Sequence, residues 1–106
     1  MTEPSDFIRR LSARKVADAD ISEFCRLIDL QQTEGERLEA IRHLLVAKDL
    51  SPNQCILVSR SRSAQDSGGI RLELQRYMRA QAFAESNRAA QDEPTWKYAL
   101  RLFTGI

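Results

Sequence analysis

Apolar side chains recur at helical rather than strand spacing along most of the chain, and the runs are bounded by residues that favour helix starts or stops. Pro4 suits a first helical turn, and Phe7, Ile8 and Leu11 then share one side of a helix running to about Val16. The stretch from Asp18 to Asp20 breaks it. Asp20-Ile-Ser-Glu23 has the form of a capping box opening a second helix, whose Ile21, Phe24, Cys25 and Ile28 make a stripe that ends near Gln32. Thr33-Glu-Gly-Glu36 repeats that form, and Leu38, Ile41, Leu44 and Leu45 fall on one arc of the helix that follows. Ser51-Pro-Asn-Gln54 supplies a capping serine, a proline for the first turn and a glutamine to close the box, so a short fourth helix is expected. Its apolar run, Cys55-Ile-Leu-Val58, also fits a short buried strand, and the cap favours the helix.

Residues 59–69, SRSRSAQDSGG, hold no large apolar side chain and end in a glycine pair, which predicts a flexible internal loop outside the core. From Ile70 to about Ala90 a long helix is indicated by Ile70, Leu74, Tyr77 and Met78, with alanines favouring its propagation. Asp92-Glu-Pro94 interrupts the pattern, and Pro94 opens a last helix carrying Trp96, Tyr98, Leu100, Leu102 and Phe103 before Gly105. No internal repeat of fixed period is present. The pattern predicts an all-α chain, a small single-domain bundle of five or six helices spanning 1–106.

Composition narrows the function classes. With 106 residues, 42% hydrophobic and 29% charged, the chain has the balance of one ordinary globular domain. A domain this small leaves a thin stability margin, which makes association with a partner favourable. A net charge of +1 argues against both a uniformly basic nucleic-acid binder and an acidic nucleic-acid mimic. The basic excess is C-terminal: residues 1–50 carry 8 basic and 10 acidic side chains, the remainder 8 and 5. Arginine makes up 13 of the 16 basic residues, which suits carboxylate or phosphate recognition but is more readily the product of GC-rich coding with no functional reason. Cys25 and Cys55 are too far apart in sequence for a CxxC redox pair or a zinc knuckle, so free reduced thiols are expected. The N-terminus, MTEPSDFIRR, lacks the continuous apolar stretch of a signal peptide, and no run approaches a membrane span, so a cytoplasmic protein without membrane contact is expected.

Helical projection of the long segment puts Ile70, Leu74, Tyr77 and Met78 in one arc and Arg71, Arg76 and Arg79 on the opposite side. Leu72 and Phe83 project among those arginines. Either the last helix covers the two, or they belong to a mixed face of the kind used for binding. In the last helix Trp96, Leu100 and Phe103 lie on one side, and Tyr98 and Leu102 on another, so one packed face cannot bury them all. The candidate protein interface is therefore Leu72, Arg76, Arg79, Phe83, Trp96, Tyr98, Leu102 and Phe103. Arg60, Arg62 and Arg71 are candidate contacts for an anion or for nucleic acid, with Arg76 and Arg79 as further phosphate contacts.

Ala47-Lys-Asp-Leu-Ser-Pro-Asn-Gln followed by Val58-Ser-Arg-Ser faintly resembles repressor-type helix-turn-helix proteins, over fewer than twenty residues. The interval between the two is too short for that family's second helix and turn, and Cys55-Ile-Leu-Val58 is too apolar for an exposed reading helix. Catalytic chemistry finds little to work with. His43 is the only histidine and is expected at the surface, and Glu34, Glu36 and Glu39 suit a helix dipole without acid-base work. Gly68-Gly69 alone is a turn signal rather than a phosphate loop. The expectation is a non-catalytic helical interaction or regulatory module with no cofactor or metal. Its partner would be a protein, foremost a second copy of itself as a homodimer through the C-terminal half. A small nucleic-acid-binding regulator using an arginine-rich face is the alternative.

Overall fold

The computed structural model describes residues 3–86 and 96–104. Seven helices appear among them: α1 (Pro4–Arg10), α2 (Asp18–Asp29), α3 (Glu34–Ala47), α4 (Pro52–Ser59), α5 (Arg62–Asp66), α6 (Gly68–Ser86) and α7 (Trp96–Thr104). The all-α class holds, and the count exceeds the five or six expected by a helix from the serine-rich segment. The expected end of the long helix at Ala90, the break at Asp92-Glu-Pro94 and the stop at Gly105 lie outside the described residues.

Each helix sends at least one side chain into a shared core. Ile8 comes from α1, Phe24 and Ile28 from α2, Ile41 and Leu44 from α3, and Val58 from α4. Ala64 enters from α5, Ile70, Leu74 and Met78 from α6, and Ala99 from α7. α6 packs against α3, α4, α5 and α7, while α2 packs against α1, α3, α4 and α5. The body measures 44 × 30 × 18 Å along its principal axes. Its thin dimension is about two helix diameters, since packed helix axes lie roughly 8–10 Å apart.

Besides the end of α2, which falls at Asp29 rather than near Gln32, three boundaries differ from expectation, each for a local reason. α1 stops at Arg10 rather than near Val16, because Leu11 turns extended and the buried Lys48 ammonium takes the carbonyls of Leu11 and Ala13, the latter at 2.9 Å. α2 begins two residues before the expected cap: Asp20 is its third residue and accepts from the Ala17 N–H at 3.2 Å. Glu23, expected to close a box, instead pairs with Arg26. The third correction concerns residues 59–69, which close α4, form α5 and open α6. Their serines act as fasteners. Ser61 Oγ accepts from Ala64 N and caps α5, Ser63 Oγ donates to Asp29 Oδ1, and Ser67 Oγ donates to Glu34 Oε1 while accepting from Ile70 N. Ser63 and Ala64 are fully buried, so the segment does enter the core.

Two other starts follow the sequence. Thr33 accepts from Glu36 N at the head of α3, and Ser51 and Gln54 satisfy one another's backbone N–H at the head of α4, at 2.9 and 3.2 Å. Residues 55–58 are helical. Gln54 also reaches across to the segment before α2, donating to Val16 O at 2.7 Å and Asp18 Oδ1 at 3.0 Å. The α1–α2 and α3–α4 connectors thus lie side by side, joined by an isolated parallel bridge between Lys15 and Asp49 and by the Asp49 N–H bonded to Arg14 O at 3.0 Å.

Candidate interaction surface

α7 runs back along α6. At one end the Trp96 N–H donates to Glu85 Oε2 at 3.2 Å, and at the other the Arg71 guanidinium stands 5.6 Å over the Phe103 ring. Between them Trp96 meets Tyr77 edge-on, with ring centroids 5.7 Å apart. Trp96, Leu100 and Phe103 pack, partly buried, against the core. This contact uses one side of α7 and leaves the other outward, with Tyr98 51% and Leu102 37% exposed.

On α6 the interior arc is Ile70, Leu74 and Met78, all fully buried. α7 does not cover the opposite arc, where Leu72 is 45% and Phe83 74% exposed. Leu72, Arg76, Arg79 and Phe83 are spaced i, i+4, i+7, i+11, the repeat that keeps side chains in one seam along a helix. All four are exposed. Arg76 also lies 3.7 Å from Glu73, which accepts Arg42 of α3 at 3.3 Å, and Glu39 lies 3.7 Å from Arg42, so two carboxylates face the two guanidinium groups. Of the eight candidate interface residues, six therefore face outward, and Trp96 and Phe103 face the core side.

The candidate anion contacts do not converge. Arg60 and Arg62 are exposed around α5, and Arg62 lines a polar depression with Arg37, Asp29 and Asp66, where two carboxylates offset the two cations. Arg71 stands apart, over Phe103.

The hydrogen bond between Glu23 and Arg26 lowers the Glu23 carboxyl and raises the Arg26 guanidinium, and the other described groups with shifted acidity are thiols and a phenol in apolar surroundings. Burial, with Asp29 nearby as a lesser cause, pushes the Cys25 thiol up to about 11, and burial alone pushes Cys55 up to about 12. Both are therefore neutral thiols at pH 7 and poor nucleophiles or metal ligands. Burial also raises Tyr77, opposed by the Leu50 N–H that its hydroxyl accepts at 3.1 Å. His43 is half-buried rather than at the surface as expected. Among the described residues no three His, Cys, Asp or Glu side chains gather as a metal would need, and no helix is long and apolar enough to cross a membrane.

One feature escaped the sequence reading, a half-open groove of about 470 Å³ between the paired connectors and α6–α7. Lys15, Asp49, Leu50, Tyr77, Gln81 and Trp96 are among its lining residues. They come from four separate stretches, so no local motif announces it. Of these lining residues, Trp96 is the one that the sequence places in the candidate protein interface.

Comparison of the chain with protein-family models, with curated proteins and with solved structures gives no match.

Proposed function

We propose that this chain is a non-catalytic helical interaction module that pairs with a second copy of itself through the outward faces of α6 and α7. The observation that carries the reading is the exposure of Leu72, Phe83, Tyr98 and Leu102 together on two adjacent helices, whereas the other exposed large apolar residues among those described, Leu30 after α2 and Val46 of α3, stand singly. An apolar seam interrupted by arginine has the composition of binding surfaces, where aromatic residues and arginine are enriched. The dispersal of Arg60, Arg62 and Arg71, with acids beside Arg62, favours this reading over a nucleic-acid-binding regulator. Multi-angle light scattering of the wild type and of a Phe83→Ser, Leu102→Ser double variant tests it. Both positions are exposed, so the variant should keep its helical circular dichroism. The expected result is a dimer for the wild type and a monomer for the variant. A wild type that stays monomeric at high micromolar concentration, or a variant that dimerises equally well, removes the proposal.

A further inference from the structure

We infer that the groove between the connectors and α7 binds a small monoanionic carboxylate with an aromatic or alkyl body. Its volume of about 470 Å³ suits such a molecule, small-ligand pockets running from roughly 300 to 1,000 Å³. Val16, Pro52, Tyr77 and Trp96 give it apolar and aromatic walls. Three of the polar groups on those walls, on Tyr77, Trp96 and Lys15, have a proton to donate. Tyr77 Oη already accepts from Leu50 N, so its remaining capacity includes its own O–H proton, for which the described residues supply no acceptor. The Trp96 indole N–H and the Lys15 ammonium likewise make no hydrogen bond among the described residues, and Lys15 is exposed at the rim.

Charge selects the anion. Among the described residues the groove's carboxylate is Asp49, held by Arg14 at 3.2 Å, and Lys15 makes no ion pair. A single cation beside two neutral donors matches one negative charge shared over two oxygens, and a charge-assisted hydrogen bond is stronger than a neutral one. Two of the remaining polar groups are committed, since Ser51 and Gln54 cap α4 and Gln54 also holds Val16 and Asp18, while the Gln81 amide adds a further neutral group to the lining. The apolar body of the acid would then lie along Tyr77 and Trp96, whose edge-on contact fixes both rings.

Trp96 is the only tryptophan and lines the groove, so an emission change on titration reports at the groove. The probes are 3-phenylpropanoate and the matched alcohol 3-phenylpropanol, titrated into the full chain and into Lys15→Met. Lys15 is exposed, so the variant should fold, and circular dichroism checks that it does. The expected result is a saturable emission change with the acid, weakened about tenfold by Lys15→Met, as loss of one charge-assisted hydrogen bond implies. The alcohol should bind wild type and variant equally and about as weakly as the acid binds the variant. No saturable change up to millimolar acid, equal affinity of acid and alcohol for the wild type, or unchanged acid affinity in Lys15→Met overturns the inference. None of these outcomes depends on whether the chain pairs with itself.

Discussion

Lys48 shows how much a single side chain decides. A lysine that is only 6% exposed is costly unless its charge is bonded, and here it takes two carbonyls of the α1–α2 connector. Lys48→Met keeps the apolar stem but leaves those carbonyls without a donor, and urea denaturation should show a loss of about 1–3 kcal/mol. The thiols make a second prediction at this scale. Cys25 and Cys55 hold their protons to about 11 and 12 in the folded chain, against an ordinary value of 9.0 that applies once it unfolds. As pH rises past the ordinary value the unfolded state ionises first and is the one that gains. Their contribution is therefore fully present below pH 9 and is lost as pH climbs toward the folded values. Midpoints of thermal denaturation should fall steeply above pH 9, and Cys55→Ala should flatten that slope whatever it does to the midpoint at neutral pH. An unchanged slope would contradict the shift assigned to Cys55. Neither Lys48 nor the thiols could be read from sequence in this way, because burial of a polar group is settled by what crosses it from elsewhere in the chain.

At the scale of the element, the helices that the sequence located well are those whose ends are fixed by their own neighbours. The Ser51–Gln54 and Thr33–Glu36 pairings act over three residues, so the starts of α4 and α3 could be read directly. The start of α2 was misplaced because Asp20 serves as the third helical residue and reaches back, a role its sequence context does not separate from capping. The serine-rich 59–69 stretch lacks large apolar groups, and its order comes from Asp29 and Glu34, about 33 residues earlier in the chain. Ser67→Ala removes both the α6 cap and the bond to Glu34, and should cost about 1–2 kcal/mol in chemical denaturation, near the upper end for a helix cap. The opposite sign is expected at Gly35. It lies in the first turn of α3, and an added methyl group meets nothing within 4 Å, so Gly35→Ala should raise stability by up to about 1 kcal/mol. A fall in the denaturation midpoint would mean that this turn needs the freedom of glycine.

Over the whole molecule, the division of α7 into a packed and an outward side was legible, because helical spacing alone fixes which residues share a face. Whether α7 also hides Leu72 and Phe83 was not legible. That depends on where α7 lies around α6, and its contacts run from Glu85 to Arg71, with Leu72 and Phe83 left largely exposed. The groove is still less local, since it exists only once the two connectors are laid together by Lys48, Asp49 and Gln54. The flatness of the body bears on how its assembly is measured. A particle 44 Å long and 18 Å thick meets more friction than a sphere of equal mass. It will leave a gel-filtration column early, at a volume that calibration against rounder standards assigns to something heavier. An elongated single copy could then pass for two, and only a measurement that weighs the particle, such as scattered light or sedimentation equilibrium, separates the cases.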